Sequence, residues 1–243
     1  MLRAVLTRDD VTGYVEALAP IEIIAMPVTE QTATPEQHEA LARAVTEPYA
    51  HTIVASRHAA IYLARAVTDR ARLGEIWAVG PATHDALARD GFSARVPSVH
   101  DGEALARELI ASRASLRGVK ILAPRAADGR TDAIAMLRAA GADVTDVAAY
   151  RTHAIAADDP SVAAGRAHLL ANAALCCVFA PSQVTALAAI IGPLSGLSCC
   201  AIGETTAAAL RSAGVARCEV AATPTPAGLA GAVRAMLATL SPA

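Results

Sequence analysis

The sequence predicts an internally duplicated α/β protein of two domains built on parallel sheets. Three observations predict it: short apolar runs alternate with alanine-rich helical patterns, one turn pattern recurs at a fixed offset, and the chain is long for a single core. Its 243 residues exceed the usual domain size, and 54% hydrophobic residues supply material for two cores.

Taken in order, six runs have the character of strands: Arg3 to Thr7, His51 to Ser56, Ile76 to Val79, Val119 to Ala123, Leu175 to Phe179 and Ser198 to Ile202. Ile121-Leu122-Ala123 and Val178-Phe179-Ala180 are apolar without alternation, as expected of strands covered on both faces. Helical patterns lie between the runs, which is the βαβ signature. The stretch containing Pro27, Thr29, Thr32, Thr34 and Pro35 suits an extended linker.

The repeat emerges when Val79-Gly80-Pro81-Ala82-Thr83 through Gly91 is laid over Ile202-Gly203-Glu204-Thr205-Thr206 through Gly214. Gly80 and Gly203, Thr83 and Thr206, Leu87 and Leu210, and Gly91 and Gly214 share one offset of 123 positions. A second pair, Val5-Leu6-Thr7-Arg8 and Ile121-Leu122-Ala123-Pro124-Arg125, opens each half with a strand ending on an arginine. Each half therefore repeats one plan. In the repeated turn, Gly80 or Gly203 is expected to let the backbone turn tightly, Pro81 suits a first helical turn, and Gly91 or Gly214 should end the helix in a left-handed cap. First-turn amides beyond the carboxyl end of a parallel strand favour anions such as carboxylates, and Thr83 and Thr206 would add hydroxyls.

Composition narrows the function. A net charge of -2 gives no basic field for nucleic acid. The first residues carry too short an apolar run for a signal peptide and no window has the length of a membrane span, so the chain is expected in the cytoplasm, away from membranes. The cysteines fall as Cys176-Cys177, Cys199-Cys200 and Cys218, with no ligand spacing for zinc, and the adjacent pairs are expected to fill opposite faces of central strands. Neither a dinucleotide-binding glycine pattern, a P-loop nor a zinc-protease motif is present. The histidines, His51 among them, stand outside any ligand spacing.

In this order the landmarks resemble those of uroporphyrinogen-III synthases: Thr7-Arg8; Val54-Ala55-Ser56-Arg57-His58-Ala59; Val79-Gly80-Pro81-Ala82-Thr83; Arg125 with Gly129-Arg130; Val147-Ala148-Ala149-Tyr150-Arg151-Thr152; Ala180-Pro181-Ser182; and Ile202-Gly203-Glu204-Thr205-Thr206. The resemblance implies two flavodoxin-like domains joined by a two-stranded linker. One would hold residues 1–32 and 155–243, the other residues 35–150, with linkers near 26–35 and 150–158 and substrate in the cleft between domains. It implies a linear tetrapyrrole substrate with eight carboxylates, hydroxymethylbilane, closed to uroporphyrinogen III with loss of water and inversion of the last ring. No cofactor or metal is implied, and the protein is expected to act as a monomer.

By the same resemblance Tyr150 is the candidate acid that helps the hydroxyl depart. Ser56, His58, Gly80, Thr83, Ser182, Gly203, Thr205 and Thr206 are candidates for substrate binding, with Arg8, Arg57, Arg125, Arg130 and Arg151 as carboxylate clamps. Three positions depart from the family pattern: Ala55 replaces a threonine, Ala180 replaces a serine, and Glu204 puts a negative charge inside the second anion-facing turn. The competing reading is an inactive or repurposed homologue, a two-domain binder of a polyanionic small molecule.

Overall fold

The structure is a computed structural model that describes residues 2–171 and 175–240. The first repeat runs through β1 (Arg3–Leu6), α1 (Tyr14–Ala17), β2 (Glu22–Ala25), β3 (Thr29–Thr32), α2 (Pro35–Ala44), β4 (His51–Val54), α3 (Arg57–Ala66), β5 (Glu75–Ala78), α4 (Pro81–Arg89), β6 (Ala94–Arg95) and α5 (Gly102–Ala111). The second comprises β7 (Lys120–Ala126), α6 (Asp132–Ala139), β8 (Asp143–Ala154), α7 (Pro160–Ala171), β9 (Leu175–Val178), α8 (Pro181–Ile191), β10 (Ser198–Ala201), α9 (Glu204–Ser212), β11 (Arg217–Val220) and α10 (Pro226–Leu240).

The chain divides into two compact units, one holding the segments up to Glu30 and from His153 onward, the other Gln31–Thr152. The sheet of the first has the order β11-β10-β9-β1-β2, and that of the second β3-β8-β7-β4-β5-β6. The pairings from β2 to β11 and from β8 to β6 are parallel. The first two strands of each repeat thus sit beside the last three of the other. Counted with the borrowed pair first, the first sheet has the 2-1-3-4-5 order of flavodoxin-like folds, and the second has the same order with β3 added outside β8. Glu75 and Ser198, which open β5 and β10, stand at the repeat offset of 123 positions.

The six expected strands are β1, β4, β5, β7, β9 and β10. Sequence reading passed over β2, β3, β6, β8 and β11 because edge strands, and β8 beside one, carry polar residues that break an apolar run. Central strands read as continuous apolar runs because both faces are covered. Val5, Cys176 and Cys199 enter one core layer, while Ala4, Leu6, Cys177 and Cys200 enter the opposite one. All five cysteines are free thiols. Burial pushes the Cys218 thiol up to about 11. Among the described residues no helix is long and apolar enough to cross a membrane, and no cluster of three His, Cys, Asp or Glu is placed to hold a metal.

Helix ends follow local chemistry. Thr34 and Gln37 form a reciprocal capping box on α2, Asp101 caps α5, and Gly91 and Gly214 take φ of 75° and 86° after α4 and α9. Gly80 and Gly203, by contrast, have φ of -170° and -174°, extended values open to any residue, so the expected tight glycine turn is absent. What these glycines contribute is a cap position without a side chain.

Two packing features carry tests. Gly165, on α7, lies so close to β2 that a methyl group there would meet Met26 Cβ at 2.6 Å. Gly165→Ala should therefore destabilise the fold by about 1–2 kcal/mol despite its better helix propensity, as read by urea unfolding. A stabilised variant would show that α7 retreats freely.

His51, at the start of β4, is fully buried, and neither ring nitrogen has a hydrogen-bond partner among the described residues. Burial and the Arg113 charge hold its pKa below the ordinary imidazole value, while Glu75, 3.4 Å away, opposes them. The unfolded chain then binds the proton more readily, so stability rises with pH up to about 6.5 and falls on acidification below it. Denaturation midpoints should drop between pH 7.5 and 5.5 by more in the wild type than in His51→Met. Equal drops would assign the acid sensitivity elsewhere.

Candidate functional site

In the Gln31–Thr152 unit, β4, β5, β7 and β8 deliver their carboxyl ends to one place. A cavity of about 280 Å³ opens there, lined by Ser56, Val79, Arg125, Gly129, Arg130 and Tyr150 among others. It lies where β7 and β4 meet, the point at which strand order reverses and open parallel sheets bind ligands.

Tyr150 is the buried polar centre of this wall. Its hydroxyl lies 2.7 Å from Ser56 Oγ, which also accepts the Ala59 N–H at 3.0 Å as the N-cap of α3. Because Ser56 Oγ already accepts from the helix, it can donate its own proton to the phenol oxygen, leaving the phenolic O–H directed elsewhere. Burial pushes the Tyr150 pKa up, the hydrogen bond from Ser56 opposes this, and the charge of Asp128 and the neighbouring Tyr62 add to the rise. The phenol therefore stays protonated at neutral pH. Its ring stacks on Tyr62, with centroids 5.2 Å apart and planes 6° from parallel, and the His58 ring lies 6.0 Å away.

Arg125 departs from the expected clamp. Its Nε and Nη2 grip Asp146 at 2.7 and 3.0 Å, and Nη1 donates to the carbonyls of Ala126, Ala127 and Gly129. The guanidinium is filled from within the unit, so it shapes the 126–129 turn that walls the cavity. The Tyr150 carbonyl holds the same turn by accepting the Ala127 N–H at 2.7 Å. Arg130 is exposed at the rim and paired with Asp132 at 2.8 Å and Glu103 at 3.2 Å. Arg57 opens α3 beside the cap, and Ala55 is an exposed part of the cavity wall.

The repeated turns differ from expectation in which side chains they present. Thr83 and Thr206 fall at the third helical position and are buried, 4% and 2% exposed, so they belong to the inward face of their helices. Thr205 is exposed instead, as is Ser182 at the second position of α8. Gly80, Ala180 and Gly203 cap α4, α8 and α9 with no side-chain hydrogen bond, so no cap side chain competes for the first-turn amides. Glu204 does not block its turn: its carboxylate runs along α9 to Arg211, 2.6 Å away, where the opposite charge meets it.

The other unit holds an equivalent junction where β1 meets β9. Thr7 Oγ1 lies 2.7 Å from Gln183 Oε1, which also accepts the Phe179 N–H at 2.9 Å. Arg8 follows, its guanidinium over the rings of Tyr14 and Phe179 at 5.1 and 4.9 Å. Its polar contacts are long, 3.4 Å to Tyr14 Oη and 3.9 Å to Asp10, and Nε has no partner among the described residues. Where Arg125 is saturated, the matching Arg8 keeps donor capacity. Sequence reading missed Tyr62, Asp146 and Gln183. Tyr62 and Gln183 lie one or two helical turns beyond recognisable strand ends, and only the register of β7 with β8 brings Asp146 near Arg125.

The family model described as uroporphyrinogen-III synthase HemD matches residues 10–231. A uroporphyrinogen-III synthetase structure from Helicobacter pylori 26695 is similar at a TM-score of 0.67 and 16% identity, covering 98% of this chain and 100% of that one. A mutant uroporphyrinogen III synthase from the extremely thermophilic bacterium Thermus thermophilus gives 0.63 and 17%, again covering 98% and 100%. A comparison with curated protein sequences finds no match. At such identities the structures establish the shared fold, while the family model spans most of the sequence, and by that match the chain belongs to the uroporphyrinogen-III synthase family.

Proposed function

We propose that the protein is a uroporphyrinogen-III synthase that closes hydroxymethylbilane to uroporphyrinogen III, releasing water and inverting the last ring. The observation that carries this reading is the Tyr150 hydroxyl, held 2.7 Å from Ser56 Oγ in the wall of the cavity at the carboxyl edge of its sheet. That cavity has room for one substituted pyrrole ring, not for four.

The reaction begins when the terminal C–O bond of the bilane breaks. The oxygen takes the bonding pair and a proton and leaves as water, while the pyrrole nitrogen lone pair delocalises to stabilise the cation. Tyr150 supports that departure by donating its O–H to the leaving oxygen. Ser56, donating in turn to the phenol oxygen, offsets the charge that develops there. A buried phenol with a raised pKa is a hydrogen-bond donor more than a full acid, which suits a leaving group already driven by the electron-rich pyrrole. The cation is attacked by the substituted carbon of the last ring to give a spiro intermediate. That carbon's original bridge bond then breaks to release a second cation, which bonds to the free carbon of the last ring, and loss of that carbon's proton balances the proton taken up by the departing water. Since unassisted closure yields the uninverted isomer, holding the chain folded is the larger part of the task.

Each unit by itself offers donors of a general kind for substrate carboxylates: the Gln31–Thr152 unit has the first-turn amides of α4, and the other unit has those of α8 and α9, the hydroxyls of Ser182 and Thr205, and the Arg8 guanidinium. Gly80 and Gly203 leave those first-turn amides without a competing cap side chain, while Thr83 and Thr206 are buried on the inward faces of their helices. Arg130, in the cavity lining, His58, whose ring is 6.0 Å from that of Tyr150, and Arg57, next to Ser56 in the chain, are assigned to substrate binding on this reading, with Arg130 exchanging its exposed carboxylate partners for those of the ligand.

Freshly prepared hydroxymethylbilane supplies the direct test. Oxidation of the product should give mainly type III uroporphyrin, and type I alone at the uncatalysed rate would leave only the binder reading. Tyr150→Phe should lower turnover more than tenfold while melting as the wild type does. Wild-type turnover in that variant would remove the phenol from the chemistry. Because burial raises the Tyr150 pKa, kcat should hold level from pH 7 to above 9, and a decline starting near neutrality would require a different donor.

A further inference from the structure

The geometry points to Tyr62 as a positioning residue that fixes the plane of the Tyr150 ring and so the direction in which its hydroxyl donates. This inference rests on the donor role proposed for Tyr150. A single hydrogen bond from Ser56 fixes the phenol oxygen at one point and leaves the ring free to pivot about it. The missing constraint is a flat, immobile surface against the ring, and Tyr62 supplies it. Its ring lies 6° from parallel to that of Tyr150 at a centroid distance of 5.2 Å, so turning Tyr150 about its ring axis drives an edge into the Tyr62 face.

Tyr62 is itself held at both ends. Its backbone belongs to α3, and its hydroxyl donates to the Gln31 carbonyl oxygen at 3.1 Å, on β3, the strand beside β8 that carries Tyr150. It is 9% exposed, with Arg65 5.9 Å from its centroid and His38 5.9 Å away in a tilted contact. One helix therefore contributes both constraints on the phenol: Ser56 at its N-cap holds the oxygen, and Tyr62, six residues on, holds the ring. Support of this kind keeps a donor within the narrow angular range that catalysis requires.

The test compares Tyr62→Phe, which keeps the ring face and loses the tie to Gln31, with Tyr62→Leu, which loses the face. Ring-labelled tyrosine followed by carbon NMR reports Tyr150 directly, its resonance assigned by disappearance in Tyr150→Phe. In Tyr62→Leu the Tyr150 titration should move toward that of an ordinary phenol, and kcat should fall roughly tenfold with KM within about twofold. Tyr62→Phe keeps the ring face, so Tyr150 should still titrate above an ordinary phenol, lowered only by the loss of Tyr62's own contribution, and kcat should fall about threefold. A cooperatively folded Tyr62→Leu with wild-type titration and kcat overturns the inference. Should that variant not fold, Tyr62→Met, which removes the flat face while keeping bulk, is read in the same way, and wild-type titration and kcat there overturn the inference. If the wild type makes no type III isomer, the functional reading falls by itself, and the NMR titration still decides whether Tyr62 orients Tyr150.

Discussion

Parallel pairing between strands far apart in sequence is the constraint on which the molecule depends. β1 needs β9 beside it and β7 needs β4, and neither sheet exists without that exchange. Parallel neighbours cannot be joined by a hairpin turn, so the strands of each sheet are returned by helices, and the carboxyl ends of β1, β4, β5, β7, β9 and β10 are each followed by a helix. The exchange sets Thr7 and Arg8 against Phe179 and Ala180 in one unit, and Arg125 against Ala55 and Ser56 in the other. Both junctions are strand-order reversals: Ser56, Arg125 and Tyr150 gather at one, and Thr7, Arg8 and Gln183 at the other.

Duplication did not leave the two junctions alike. Ser56 caps its helix and meets Tyr150, whereas its counterpart Ala180 leaves α8 uncapped. Arg125 is saturated by Asp146 and three carbonyls, whereas Arg8 rests on two aromatic rings with long polar contacts. One junction is rigid and self-satisfied around a phenol. The other keeps donors unmatched, which suits recognition of anionic groups more than bond-making. Ala180, a departure from the family pattern, is thus a removed competitor for the first-turn amides of α8.

The fold was legible where burial was two-sided. Continuous apolar strands, the 123-residue offset and the alternation of element types all survive as pattern, because both faces of each central strand impose the same demand. Edge strands escaped because solvent on one side relaxes it. Tyr150 and Ser56 were legible as landmarks of a resemblance, but the contact between them was not, since 94 residues separate them and only the sheet register joins them. The pairing of Arg125 was hidden for the same reason: at a strand end the sequence shows the arginine but not Asp146, which only the register brings beside it. Thr83 and Thr206 misled because a hydroxyl on a helix's first turn reads as a donor whether it faces outward or in.

Strand exchange also orders events in time. As the chain leaves the ribosome, β1 and β2 emerge before the strands they serve, for β1's inner partner β9 lies about 170 residues later, which is on the order of 10–30 s of synthesis. The unit spanning Gln31–Thr152 is continuous and complete before then, while Ala4, Val5 and Leu6 wait as an unpaired apolar edge. The amino-terminal segment is therefore the stretch of nascent chain with the longest need of a chaperone, and its vulnerability to aggregation is written in topology and not in the strength of any contact.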